Sequence, residues 1–475
     1  MRIAILPKFK WKSLIIVALA LSTFAISNCR KENYFEGSDA KLSISTDTVY
    51  FDTVFTKLPG VPYPRSITKT FVLRNPYKDY VRTTITLAGG DNSPYRINVD
   101  GIPTTHLEDY EIRPKDSIFI FVQCTLEPNN LTQPALVMDS IIFNTNGSIQ
   151  DLKLAAYGWD AYYFHNTELD CDDIWDKTDK PYVIVSSALV KENCKLTIEK
   201  GVEIYSSADS RLIVEGTLDV NGTKDEPVLF RADRLDPRFD DVGGQWQGIH
   251  IYKKSVNNSI ENAIIKNATV GVRVDSLSNN SNPKLDIRNT VIQNTSSIGI
   301  FGWTGEIYAE NCVFANSASF TFLGYWGGRY DFRHCTFADY NIDFIRRTPQ
   351  VALNSVELDE NDNILRTFPL KYNIQNCIIF GSLEDEVLYS FNPSVPPDSN
   401  IENCLIRTTI ESLASNGNIL NKDPNFKSIF NYNYELDTLS PAMNGGKILS
   451  PPINFDLLSR PRIGLPDMGA YERQE

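Results

Sequence analysis

The sequence predicts an all-β chain in which a β-sandwich precedes a parallel β-helix. Three observations carry this expectation. A six-residue phrase recurs: Ile260-Glu-Asn262-Ala-Ile-Ile265, Ile287-Arg-Asn289-Thr-Val-Ile292, Ala309-Glu-Asn311-Cys-Val-Phe314, Phe332-Arg-His334-Cys-Thr-Phe337, Ile374-Gln-Asn376-Cys-Ile-Ile379 and Ile401-Glu-Asn403-Cys-Leu-Ile406. Its start-to-start steps of 27, 22, 23, 42 and 27 residues mark a solenoid with one irregular coil. Short alternating apolar pieces separated by turn formers fill residues 42–158. Beyond residue 28 no long stretch carries the 3.6-residue apolar period of an amphipathic helix.

The first element is an address. Arg2, Lys8, Lys10 and Lys12 precede an apolar run from Leu14 to Ile26, which ends at Ser27-Asn28-Cys29. A charged segment and a short apolar segment read as a signal peptide over 1–28, too short for a stable membrane span. A Cys directly after it resembles a bacterial lipoprotein signal, cleaved before Cys29 and lipidated there. Asn28 departs from the small residue usual at that place. The resemblance implies attachment to a membrane through a lipid anchor. Polar residues 29–41 then read as a tether.

From 42 to 158 the expected strands include residues 70–73, 81–87, 95–99, 117–122, 140–143 and 152–157, with turns at Asn75-Pro76, Gly89-Gly90-Asp91-Asn92, Asp100-Gly101 and Asn146-Gly147. Ile118, Ile120 and Val122 alternate with Phe119 and Phe121, so that strand is apolar on both faces and placed centrally. About seven such strands predict a sandwich. Residues 159–194 read as a junction rich in Asp and aromatics. Cys171 and Cys194 flank a predicted strand there and are a candidate disulfide in an oxidising compartment.

The β-helix is expected over 195–430, with Gly201, Gly216 and Gly222 at corners needing positive φ. Within each phrase the leading Ile or Phe points inward and the Asn, or His334, sits at a corner in the left-handed region. Its amide can bond its counterpart one coil away, about 4.8 Å along. A small residue follows, the series being Ala263, Thr290, Cys312, Cys335, Cys377 and Cys404. The four cysteines are thus a core ladder of small hydrophobes. The next column, Ile264, Val291, Val313, Thr336, Ile378 and Leu405, faces out and is mostly apolar, so it calls for a cover from the sandwich or a partner protein. The 42-residue step before Ile374 is one long coil or an unmarked extra coil, and such insertions often carry function.

Charge narrows the partners. The formal net charge is -13, which repels phosphate backbones, so nucleic acid is not expected. The four histidines are scattered and no CxxC occurs, so no metal site is expected.

The Asn-Cys-x-Ile phrase resembles the right-handed parallel β-helix proteins of the pectate-lyase-like superfamily. Gly243-Gly-Gln-Trp246-Gln-Gly-Ile249 is similar to a phrase of their early coils. Asp423-Pro-Asn-Phe426, Ser440-Pro-Ala442, Gly445-Gly446 and Asp467-Met-Gly-Ala-Tyr-Glu472 resemble a terminal segment common in extracellular members, placed here at 431–475. Phe71-Val-Leu-Arg-Asn75, Pro114-Lys-Asp-Ser-Ile118 and Ile142-Phe-Asn-Thr-Asn146-Gly resemble immunoglobulin-like sandwiches found beside envelope solenoids. Together these imply an envelope lipoprotein of Bacteroidetes type, at the outer membrane or cell surface.

Two function classes follow. The first is a non-catalytic β-helix that binds or scaffolds a polysaccharide or an envelope protein. Outward aromatics stack on sugar faces, and Trp303, Tyr325 and Trp326 beside Gly324, Gly327 and Gly328 are the ligand-binding candidates. The second, implied by the resemblance, is a polysaccharide lyase or glycoside hydrolase. A lyase would bring calcium on carboxylates of neighbouring coils, and a hydrolase needs a carboxylate pair. Glu306, Asp331, Asp339 and Asp343 are the catalytic candidates, with Arg329 and Arg333 beside them. The binding class implies no cofactor.

Overall fold

The computed structural model describes residues 33–58, 68–128, 130, 132–340, 342 and 344–474. Cys29, Asp343 and the expected signal peptide 1–28 lie outside the described residues.

Contacts divide the chain into two units. The first runs through Thr68–Cys124 and Met138–Ala155, with the chain up to Tyr50, and the second holds Ala156–Glu475 with Phe51–Ile67 and Thr125–Val137. The N-terminal strands form two antiparallel five-stranded sheets. One runs Ser43–Ile44, Lys69–Arg74, Ser117–Cys124, Tyr95–Val99, Ile102–Thr104, and the other Thr48–Phe55, Ser148–Trp159, Ala135–Thr145, Val81–Leu87, His106–Ile112. This is the arrangement of a β-sandwich, and Ile118, Ile120 and Val122 lie in its core. Ser117–Cys124 is central in its sheet, as its pattern predicts, yet Phe119 and Phe121 on its other side are exposed at 51% and 39%.

The second unit is a parallel β-helix with three faces. One coil reads Glu306–Glu310 (face 1), Val313–Ser317 (face 2) and Phe320–Tyr325 (face 3), and Gly328–Arg333 then begins the next coil on face 1. Face 1 stacks nine parallel strands, from Asp173–Trp175 to Asp398–Glu402. Faces 2 and 3 join into one continuous 18-stranded sheet. Phe314, Phe337, Ile379 and Ile406 stack in register through the interior of face 2. The helix begins earlier than the pattern suggests. Tyr162–Glu168 already pairs in parallel with Tyr182–Val190, so the expected junction belongs to the first coils. Stacked Phe164, Trp175 and Tyr182 rings fill the core at this end, and Cys171 is disulfide-bonded to Cys194.

The corner ladder forms as expected. Asn262, Asn289, Asn311, His334, Asn376 and Asn403 all hold φ between 47° and 53°, a region that Asn tolerates best among non-glycine residues. Asn311 donates to the Asn289 amide oxygen at 3.2 Å, and the Asn376 amide meets the His334 Nε2 at 2.8 Å. Cys312, Cys335, Cys377 and Cys404 are buried free thiols, and burial pushes the first three well above the usual thiol range. Of the three corner glycines, only Gly201 has positive φ. Gly216 and Gly222 are required by space instead. A Cβ on either would lie 2.1 Å from a carbonyl oxygen, of Cys194 and Asn262 respectively.

The outward apolar column is covered by the chain's own C-terminal segment. Val313, Ala315 and Ala338 pack against Tyr434, Leu457 and Ala470, and Ile378, Phe380 and Leu405 against Leu436, Ala442 and Met468. Neither the sandwich nor a partner is needed at these coils. The cover was not legible because segment 431–475 lacks the repeat and reveals no strand phase.

The 42-residue step is one coil with two insertions. The first, which holds the described residues 344–350, falls between the face 2 strand Thr336–Asp339 and the face 3 strand Val351–Asn354. A hairpin, Val356–Leu358 paired antiparallel with Ile364–Thr367, then stands at the corner between faces 3 and 1.

Candidate functional site

The corner where face 3 turns into face 1 gathers most of the candidates. Trp303 ends a face 3 strand and Glu306 begins the next face 1 strand. One coil on, Tyr325 ends its strand and Trp326-Gly327 turn the chain toward Arg329. Stacking in register puts Trp303 beside Tyr325 and Glu306 beside Arg329.

The aromatics form one outward cluster. Trp303 meets Tyr325 and Trp326 edge-on at 5.7 and 5.6 Å. Tyr325 and Trp326 stack at 5.1 Å, and Trp326 stacks on Phe368 at 5.2 Å and 11°. Phe368 lies just past the hairpin, so the insertion and the aromatic segment make one surface. Arg273 sits 5.0 Å over the Trp303 ring, within cation–π range. Trp303 is the most exposed of the three at 36%. Trp326 holds φ of 56°, which a bulky side chain rarely adopts and which must be enforced by neighbours. The enforcement is visible: Gly327 N donates to Asn354 O and Gly328 N to Pro369 O. A Cβ on Gly327 would lie 2.3 Å from the Pro369 carbonyl oxygen.

The other aromatics of this segment divide by strand phase. Phe322 and Tyr330 are buried in the core, where the Tyr330 hydroxyl bonds the carbonyls of Gly302 and Gly327. Gly302 and Gly324 exist for this ring, since a Cβ on either would come within 2.7 Å of it.

Beside the aromatic cluster, face 1 carries a shallow polar groove of about 240 Å³ lined by Glu306, Tyr308, Arg329, Asp331, Lys371 and Asn373 among others. Two of the four acidic candidates, Glu306 and Asp331, thus share one groove. Both are already engaged. Glu306 accepts from Arg329 at 3.2 Å and from the Ser278 backbone N–H at 2.9 Å. Asp331 holds Arg333 through both oxygens, at 3.0 and 2.8 Å, and accepts from Asn373 at 2.8 Å. Asp286 grips Arg288 in the same bidentate way. Arg288 and Arg333 lie 4.9 and 5.3 Å from the Tyr308 ring centre, and its hydroxyl donates to Glu310 at 2.6 Å. Burial and the Glu310 carboxylate raise the Tyr308 pKa, and bonding to Asp286 and Asp331 raises those of Arg288 and Arg333. The result is a fixed lattice of charges and one aromatic ring on a flat sheet.

Asp339 lies elsewhere. It is 1% exposed, accepts from the Ser317 N–H at 3.0 Å and faces Arg346 at 3.3 Å. Arg346 also holds Glu386 at 2.8 Å, both fully buried. Burial raises the Glu386 pKa against the opposing pull of Arg346. This network ties Arg346 of the first insertion to the helix and is buried. Among the described residues no group of three or more His, Cys, Asp or Glu is placed to hold a metal ion.

Sequence reasoning missed a second corner ladder. Asn267, Asn294 and Asn316 also take positive φ five residues after the first ladder, and Asn316 donates to Asn294 at 2.6 Å. The signal was present in the spacing but was masked where Asp339, Gly381 and Thr408 replace Asn.

Residues 169–280 match the family model described as a pectate-lyase like beta helix domain. The matched segment covers the early coils and stops before Trp303. No curated protein matches the chain.

Proposed function

We propose that this chain is a lipid-anchored envelope protein, of the outer membrane or cell surface, whose β-helix binds a glycan without cleaving it. The binding surface is the corner between faces 3 and 1. The observation that carries this reading is the juxtaposition of an outward aromatic cluster, Trp303, Tyr325 and Trp326, with a groove of pre-oriented polar groups. Aromatic faces supply apolar contact for the C–H surface of a sugar, and the fixed Glu306, Arg329, Asp331 and Asn373 supply hydroxyl partners at little ordering cost. The pectate-lyase-like match over the early coils supports a carbohydrate-related role. Lipid anchoring rests on the segment ending at Cys29.

The second reading is a polysaccharide lyase or glycoside hydrolase. It is favoured by one observation, that Glu306 and Asp331 share a groove with Arg329 and Lys371. Against it, each carboxylate is held as a charged acceptor by an arginine, Glu306 by Arg329 and Asp331 by Arg333, and general acid–base work needs a group that exchanges a proton with the substrate.

A polysaccharide array, read for both retention and newly formed chain ends, separates the two. The binding reading expects retention on at least one glycan class with no new ends. New ends that vanish in Glu306→Gln or Asp331→Asn would establish the enzyme reading in its place.

A further inference from the structure

The corner between faces 1 and 2 carries a second surface. The C-terminal segment runs along the Asn ladder there and satisfies it rung by rung with its backbone. Asn403 donates to Gly445 O at 3.2 Å, Asn376 to Lys447 O at 2.7 Å, and Asn311 to Phe455 O at 2.9 Å. Lys447 N returns a bond to the Asn376 amide oxygen at 2.9 Å. At Phe455 the segment turns away, with Arg462 N bonding back to Asn454 O. The ladder continues without it. Asn289 accepts from Asn311, but its own amide nitrogen makes no hydrogen bond among the described residues. Asn262 donates to Gly222 O at 3.2 Å, and its amide oxygen accepts nothing among them.

Beside these two rungs lies a cleft of about 660 Å³. Its inner wall is the ladder from Asn311 to Asn262, its outer wall is Pro452–Phe455, and Glu261 stands at its rim. Phe455 is 57% exposed, and Glu261 is exposed with no ion-pair partner among the described residues.

We infer that this cleft docks an extended peptide segment of a partner protein, which continues along the open rungs the path the C-terminal segment takes along the closed ones. The rungs repeat at about 4.8 Å, so three of them with the adjoining Gly222 corner span about 14 Å, the reach of about four extended residues. A backbone carbonyl of the guest takes the Asn289 amide N–H, and a backbone N–H takes the Asn262 oxygen. An apolar guest side chain lies on Phe455, and a Lys or Arg meets Glu261. This is strand-like peptide capture by backbone pairing, with side-chain pockets setting the choice of sequence.

The test is selection of phage-displayed random dodecapeptides on the full chain, followed by fluorescence polarisation with the enriched peptide made synthetically. Enriched sequences should pair an apolar residue with a Lys or Arg. Their Kd should rise at least tenfold in Phe455→Ser and in Glu261→Lys, both exposed positions whose replacement leaves Tm unchanged. Asn289→Gly, which keeps the left-handed backbone but removes the amide, should weaken binding as well. Replacing Trp303 and Trp326 should leave peptide binding intact, which keeps this site separate from the glycan reading. The inference fails if no sequence is enriched, if enriched peptides bind all variants equally, or if Phe455→Ser abolishes retention of a polysaccharide instead.

Discussion

Tyr330 shows how single residues hold the candidate site. Its ring fills the core and its hydroxyl ties the carbonyls of Gly302 and Gly327, on either side of the corner that presents Trp303 and Trp326. Tyr330→Phe should cost about 1 kcal/mol in urea unfolding, the usual net worth of such a bond. Gly324→Ala should cost about 1–3 kcal/mol by overpacking the same ring. Two histidines give a pH signature. Burial pushes His334 well below the usual histidine range, and burial with Arg211 and Arg273 nearby pushes His250 down to about 4. Both stay neutral in the fold while the unfolded chain takes up protons. Stability should therefore be level between about pH 6.5 and 8 and fall below that window, by up to about 1.4 kcal/mol per pH unit for each histidine. Urea titrations at several pH values check this, and His334→Asn should remove one share while keeping the corner conformation. At this scale the sequence reveals residue type but not phase. Trp303 and Phe322 look alike in the string, but Phe322 stacks on the inward Ile300 while Trp303 stacks on the outward Tyr325. Asp339 looked as available as Asp331 until Arg346, from a loop with no periodicity, placed it inside.

At the scale of elements, the phrase made the strands, corners and core ladders legible because each coil repeats the same steric requirement. The insertions were legible only as an irregular step. Their placement depends on which corner accepts them, and nothing in the period encodes that. The 356–367 hairpin exposes Leu358, Ile364 and Leu365 at 42%, 41% and 59% and braces Trp326 through Phe368. Replacing residues 356–367 with a short Gly-Ser turn should shift Tm by only a few degrees yet weaken glycan retention at least tenfold, since little core is lost but Phe368, which stacks on the Trp326 ring, loses the hairpin that positions it. The C-terminal segment should behave oppositely. A stop after residue 425 uncovers Ile378, Phe380 and Leu405, and the product should aggregate or bind a hydrophobic dye. At the other end of the helix, Cys171→Ala with Cys194→Ala removes the closure of a loop 23 residues in span, at a cost of about 3 kcal/mol measurable by thermal or urea unfolding.

For the molecule as a whole, the fold class was readable from one period and one set of turn signals, while function was not. A three-faced solenoid offers long outer surfaces, and chain folding determines which remain open. Here face 2 is closed over several coils by the chain's own end, and face 1 is a lattice of paired charges. The corner between faces 3 and 1 is left with aromatics presented outward. We propose that this corner binds a glycan and leaves it whole. Calorimetric titration of the array-selected polysaccharide into wild type and the Trp303→Ala, Trp326→Ala double variant is the deciding measurement. Saturable binding is expected in the wild type and at least a tenfold loss in the variant, about 1.4 kcal/mol or more, with unchanged unfolding. Equal affinity in both proteins would contradict it.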